Sequence, residues 1–432
     1  MKDNKTNAYK KEYIDTLNHI WEDNASLTEL KYFLDTMYHW CSEERKQNAK
    51  PGVVILGTSV PEELVMAAGA QPYFIIGGSL GSVLWSDELV PRDTDPISRS
   101  VLGYIHQPGG ADFSKSLFIV PLTNDSMRKI AYELKGEGRK VFPIDIPPDR
   151  MDIHVEKKWQ IQMLSMTDTI ARHTGTRITK RSVKNALMHV SRARRALLNF
   201  LEATRGRTNI ITSAARQLVQ NSYYFTESID DWRIHLEALT NEAVYSSSFE
   251  GKKQNRSGVL LLGSPVIFPN YKVPFLVQDI GLEILDTADA AALKSHIAYD
   301  RKDMCGSCDT VIYNIASKWY KYDASSAFVK NDVLYDYVSW LIQKGDIKGV
   351  VYHVLKGQIE YDFELERFES LLSKNNIPVF RLETDYQYQD VEQLRIRMEA
   401  FSEMLTQNRY KTNRSIRFIS SENENKEERA AS

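Results

Sequence analysis

The chain reads as an α/β protein with two doubly wound, flavodoxin-like parallel-sheet domains, one helical region at the amino end and another between them. Three observations carry this reading. From Val53 to Ile146 short, wholly apolar runs alternate with helical patterns, and the same alternation resumes at Gly258. The runs lack the apolar-polar alternation of a half-exposed antiparallel strand, which is the pattern of strands covered on both faces. Between them, residues 151 to 250 repeat apolar side chains at helical spacing (Val183, Leu187, Val190, Leu197, Leu201) without an intervening strand.

In order, residues 8 to 47 are helical and rich in Trp, Tyr and charge, and form a cap on the first α/β domain. Val53–Gly57 is the first strand and leads into a helix over Pro61–Gly69, with Glu62 and Glu63 suiting its amino end. Tyr73–Ile76 and Leu117–Val120 are further strands, the latter followed by a helix from about Ser126 to Lys135. Val141–Ile146 ends the set at Pro147-Pro148. The second unit holds strands at Gly258–Gly263, Leu282–Leu285, Gly349–Leu355 and Ile377–Leu382, with a helix from Tyr361 that turns Phe363, Phe368, Leu371 and Leu372 to one face. The expected division is a cap over 1–47, a first α/β domain over 48–150, a helical region over 151–255, a second α/β domain over 256–418, and a charged, disordered tail over 419–432.

Composition excludes several classes. Lys and Arg number 55 against 57 Asp and Glu, a net charge of −2, so no global basic field draws nucleic acid or an anionic membrane. The start Met1-Lys2-Asp3-Asn4-Lys5 has no apolar signal core, and no run is long enough to span a bilayer. Three cysteines, Cys41, Cys305 and Cys308, make no disulfide scaffold, and the expected location is the cytoplasm.

Ligands of open parallel sheets bind beyond the carboxyl ends of the strands. Two successive strands of the second unit end there in polar groups: His353, Lys356 and Gln358 from one, Glu383 and Asp385 from the next. Glu62 and Glu63 either simply suit the positive end of their helix or face a pocket as proton-transfer groups. A strand histidine such as His353 is more often a hydrogen-bonded core residue. Cys305-Gly306-Ser307-Cys308 has the spacing of a metal or redox pair, or is a loop with two incidental thiols; two thiolates cannot complete a four-thiolate site. Cys41 reads as a packed small hydrophobe. No GxxxxGK[ST] occurs, and Gly77–Ser82 reads as a loop rather than a phosphate cradle. The basic series from Lys180 to Arg207 reads as a solvated helix face.

Several separated segments occur in the order of one family. Val60-Pro61-Glu62-Glu63-Leu64 with Ala67-Ala68-Gly69-Ala70, Pro91-Arg92-Asp93-Thr94, Pro121-Leu122-Thr123-Asn124-Asp125, Gly263-Ser264-Pro265 and the run from Tyr352 to Tyr386 together resemble the 2-hydroxyacyl-CoA dehydratase and benzoyl-CoA reductase subunits. The resemblance covers about residues 45 to 408, and the Lys356–Leu365 wording is closest to the larger core subunit of ATP-dependent benzoyl-CoA reductase.

That resemblance implies a core subunit of a radical enzyme acting on acyl-CoA thioesters, with reductive dearomatisation of benzoyl-CoA as the leading reaction. A 2-hydroxyacyl-CoA dehydratase subunit and a cluster-free structural subunit are the alternatives. Lys356 and Gln358 are the expected oxyanion donors, Glu62, Glu63 and His353 the proton-transfer groups, and Gly263, Ser264, Glu383 and Asp385 the substrate contacts. Partners implied are the acyl-CoA substrate, a cysteine-bearing sister subunit and a separate ATP-hydrolysing electron activator. Members that hold a [4Fe-4S] cluster do so through cysteines at three separated motifs. Those places here carry Asp95, Asn124 and Gln358, poor ligands for iron in such a cluster. The cluster is therefore expected on the sister subunit, with Cys305 and Cys308 as the alternative ligands.

Overall fold

The computed structural model describes residues 2–150, 152–249 and 256–407. Among the described residues eight strands form two four-stranded sheets, and every neighbouring pair is parallel. The first sheet comprises β1 (Val53–Leu56), β2 (Pro72–Ile75), β3 (Leu117–Pro121) and β4 (Lys140–Ile144) in the order β2-β1-β3-β4. The second comprises β5 (Ser257–Gly263), β6 (Leu282–Ala288), β7 (Gly349–Leu355) and β8 (Val379–Thr384) in the order β6-β5-β7-β8. Both sheets thus have the 2-1-3-4 order of the flavodoxin-like fold, which was the expected architecture.

Burial explains the apolar runs. Every residue of β1, β3, β5 and β7 is buried. Alternate side chains leave a strand on opposite faces. Accordingly Val259, Leu261 and Val351 join the large core continuous with the first sheet, while Leu260, Leu262, Val350 and Tyr352 pack outward on Val338, Leu341, Phe368 and Leu372. The edge strand β4 is less covered and tolerates Pro143, whose missing N–H would break a central ladder.

Around the sheets lie the helices Lys2–Asn24, Leu30–Cys41 and Glu43–Asn48, then Ile153–Thr174, Lys180–Ala203, Ser213–Ser222 and Ile229–Phe249. Ser213–Ser222 is buried throughout, packed between the sheets and the outer helices. Cys41 is buried in the core, as its helical position implied. No described helix is long and apolar enough to cross a membrane.

Some expectations are corrected. The helix after β1 is Glu62–Ala67, with Pro61 standing before its first residue, and β6 runs on to Ala288. β8 is Val379–Thr384, two residues later than read, because Val350 pairs with Val379. Phe363 does not share the inner face of its helix, Glu360–Lys374: it is 74% exposed, and Leu365 takes the buried position. The basic series is not uniformly solvated, since Arg194 is buried and Arg205 is ion-paired to Asp286 and Asp346. The tail assigned to disorder lies outside the described residues.

Candidate functional site

In a 2-1-3-4 sheet the chain leaves the first and third strands in opposite directions, opening a crevice at their carboxyl ends. Here the two crevices face one another. Leu56–Ser59 after β1 and Thr123 and Asn124 after β3 line one side of a cavity, with about 870 Å3 of space including its opening to solvent. Pro265–Ile267 after β5 and Gln358, Glu360 and Tyr361 after β7 line the other. The cavity is therefore a joint product of both sheets.

Close backbone approach makes the junction possible. Gly357, at φ +83°, would place a Cβ 3.0 Å from the Asp93 carbonyl. Gly78, at φ +102°, would place one 2.2 Å from the carbonyl of Phe268, so no side chain fits at that crossing.

Asp95, Asn124 and Gln358, read from three distant segments, all line this cavity. Asp95 Oδ1 caps the helix Pro96–His106 by accepting from the Ser98 N–H at 3.0 Å. Asn124 caps Asp125–Gly136 by accepting from Met127 at 2.9 Å. Buried Gln358 accepts from the Ser264 hydroxyl at 2.7 Å, and its amide nitrogen lies 3.4 Å from Asp95 Oδ1. Ser264 Oγ in turn accepts from the Leu355 N–H at 3.0 Å. Gly263 permits this arrangement, because at φ +110° its added Cβ would sit 2.2 Å from the His353 carbonyl.

Two acids that sequence reading missed share the wall. Asp289, at the amino end of the helix Ala290–Lys294, is pushed up to about 6 by burial, despite accepting from the Ala292 N–H at 2.8 Å. Glu360 is raised by burial and then by the charge of Asp95, against hydrogen bonds with Asn124 and Ser326. The signal for Asp289 was a strand running into Asp-Ala-Ala-Ala, a capping pattern. Glu360 stands two residues beyond Gln358, on the same turn into a helix. Among the described residues lining the cavity there is no Lys, Arg or His.

The other anticipated residues lie elsewhere. Glu62 and Glu63 are fully buried in an ionic cluster and do not line the cavity. Arg194 approaches Glu62 at 2.9 Å and Glu63 at 2.7 Å, and Lys294 lies 2.8 Å from Glu62. The Tyr223 hydroxyl donates to Glu62 at 2.5 Å, and Tyr299 and the Trp319 indole donate to Glu63 at 3.0 and 3.1 Å. Burial opposes ionisation of Glu62, but Arg194 and Lys294 outweigh it and hold the carboxyl down to about 2. Burial and then the charge of Glu62 oppose ionisation of Glu63 while Arg194 favours it, and the net direction is upward. The cluster ties the helix after β1 to the Lys180–Ala203 helix and to residues following β6.

His353 is a core histidine. Its Nδ1–H donates to the Ser264 carbonyl at 3.0 Å and its Nε2 accepts from Thr384 at 2.8 Å; the carbonyl can only accept, which assigns the tautomer. Burial lowers its pKa to about 4. Lys356 is exposed, 3.3 Å from Asp385, and Glu383 is exposed beside Arg381 at 3.0 Å. None of these four lines the cavity.

Residues 58–405 match the family described as 2-hydroxyglutaryl-CoA dehydratase, D-component. The chain belongs to this family. It is 26% identical over 368 residues to the Escherichia coli K12 protein YjiM, named provisionally as a dehydratase subunit, covering 83% of this chain and 93% of that one. It is 20% identical to the (R)-phenyllactyl-CoA dehydratase beta subunit of Clostridium sporogenes, covering 87% and 98%. It is 22% identical to subunit beta of (R)-2-hydroxyglutaryl-CoA dehydratase from Acidaminococcus fermentans, covering 83% and 94%. None of these three is named as a benzoyl-CoA reductase, so closeness to that enzyme gains no support from them.

An iron–sulfur cluster does not fit the described residues of this chain. The three converging positions offer a carboxyl and two amides, and no cysteine lines the cavity. Cys305 is exposed, its thiol donating to the Arg301 carbonyl at 3.2 Å. Cys308 opens the helix Cys308–Tyr322, and burial, then Asp309, push its thiol up, away from the thiolate that binds metal. No group of three or more His, Cys, Asp or Glu placed to hold a metal ion occurs among the described residues.

Gly77–Ser82 is likewise filled from within. The Glu12 carboxyl accepts from the Leu80 and Gly81 N–H groups at 3.0 and 3.1 Å and from the Ser79 hydroxyl at 2.8 Å. A side chain thus occupies the place an anion would take.

Proposed function

We propose that this chain is a subunit of a 2-hydroxyacyl-CoA dehydratase-type lyase that presents a cluster-free cavity to the acyl part of a thioester. The observation that carries the reading is the convergence of Asp95, Asn124 and Gln358 on one cavity at the carboxyl ends of both sheets. The names of the relatives support loss of water from a 2-hydroxyacyl-CoA over reductive dearomatisation.

In this reading a cysteine-bearing sister subunit holds the [4Fe-4S] cluster, and a separate ATP-hydrolysing activator supplies the electron. The complex works in the cytoplasm. Gln358 is the donor facing the substrate, positioned by Ser264, while Gly263 gives Ser264 its place. Glu360 and Asp289, whose proton affinities are raised by burial, are the groups able to hold a proton at the cavity wall. Glu62, Glu63 and Arg194 act by joining the elements around the cavity. His353 braces the end of β7. Lys356, Glu383 and Asp385 contribute no group to the cavity lining.

The test is activity of the chain combined with a sister subunit and activator, on 2-hydroxyacyl-CoA thioesters and on benzoyl-CoA. Enoyl-CoA formed from the former supports the reading. Turnover of benzoyl-CoA alone would replace it with the reductase.

A further inference from the structure

We propose that the cavity between the two sheets binds the hydroxyl-bearing acyl end of the thioester directly, with Asp95 as the acceptor for the 2-hydroxyl. The inference rests on the dehydratase reading and names which part of the substrate this chain holds.

Asp95 is 2% exposed, and while its Oδ1 is occupied, its Oδ2 is buried without a hydrogen-bond partner among the described residues. A buried acceptor without a donor is unfavourable, and a ligand that donates to it removes that penalty. Asp95 lines a cavity whose other walls divide by chemistry. Ile76, Ile97, Val101 and Met127 give an apolar side for a short hydrocarbon, and Asn124 and Gln358 bring amide groups.

Charge fixes which end of the substrate enters. With no cationic side chain among the described residues of its lining, the cavity offers no partner to a phosphate, so the nucleotide of coenzyme A stays outside. A neutral acyl group carrying one hydroxyl donor matches the remaining space.

The test uses the isolated full-length chain and uncharged thioesters of N-acetylcysteamine: the 2-hydroxybutanoyl compound and its butanoyl counterpart, with affinity measured by calorimetry or ligand-observed NMR. Supplying a donor to the unpartnered carboxyl oxygen should make the hydroxy compound bind about 10- to 100-fold more tightly. Asp95→Ser keeps a helix cap but withdraws the free oxygen, and should abolish the preference while leaving the melting temperature near that of the wild type. Thr123→Trp, filling the cavity, should remove binding of both compounds. Equal affinity for the two thioesters in the wild type, or a preference that survives Asp95→Ser, would overturn the proposal. Preference without dehydratase activity in the assembled complex would sink the proposed function and leave this inference standing. Activity without preference would do the reverse.

Discussion

Gln358 links the two sheets: its Oε1 accepts from Ser264 at the end of β5 at 2.7 Å, while its amide nitrogen lies 3.4 Å from Asp95 of the first sheet's unit. The neighbouring Lys356 follows the same strand yet points to solvent, beside Asp385. Two residues of one turn therefore make opposite predictions. Gln358→Ala removes a preorganised donor from the cavity and should lower turnover of the assembled complex on the order of 10²–10³-fold. Lys356→Ala, a surface change within about 0.5 kcal/mol, should leave turnover within roughly twofold. Steady-state kinetics of the two variants, with subunit association verified, checks both.

Arg194 holds two buried carboxyls at once. Arg194→Met leaves Glu62 and Glu63 with Lys294 as the one nearby buried cation among the described residues and should destabilise the fold by about 3–5 kcal/mol, read from urea unfolding. A loss under about 1 kcal/mol would mean that the cluster does not hold these elements together.

His353 gives a pH dependence with a definite sign. Its folded-state pKa of about 4 lies below the ordinary 6.5. Between these values the unfolded chain binds the proton and the folded one does not, so its contribution is full above pH 6.5 and is lost as pH falls toward 4. The gap corresponds to roughly 3 kcal/mol. Asp289, and Glu364 in the helix Glu360–Lys374, raised by burial to about 6 and about 7, act in the opposite sense, their contribution falling as pH rises. Comparing unfolding of the wild type with His353→Gln across pH 4 to 7.5 cancels those acids. The wild type should lose stability relative to the variant as the solution is acidified.

Gly263→Ala tests the support beneath Ser264. The left-handed backbone and the 2.2 Å approach to the His353 carbonyl leave no space for a methyl group. The variant should lose at least about 1–3 kcal/mol and lower acyl thioester turnover with it. Unfolding and activity measured together check this.

The strands of both sheets were legible because β1, β3, β5 and β7 are buried on two faces and read as uninterrupted apolar runs. Their pairing was not visible, since no local pattern states that Val350 aligns with Val379. Within the site, Gln358 could be found because a strand ended in polar residues. Lys356 looked equivalent, and only the turn at Gly357 separates the buried side chain from the exposed one. Glu62 and Glu63 were noticeable as acids opening a helix. Their cation, Arg194, is 132 positions from Glu62 and sat in a basic run that local reading assigns to solvent. Asp289 carried only a capping pattern, and its place at the cavity depends on how the sheets meet.

In the proposed function this chain contributes an oxygen- and amide-lined cavity and ligates no cluster of its own. Anaerobic reconstitution of the isolated full-length chain with iron and sulfide, followed by metal analysis and visible and paramagnetic-resonance spectra, tests it most directly. No intact [4Fe-4S] signal and only adventitious iron are expected. About four irons per chain, lost on Cys305→Ser or on Asp95→Ser, would contradict it.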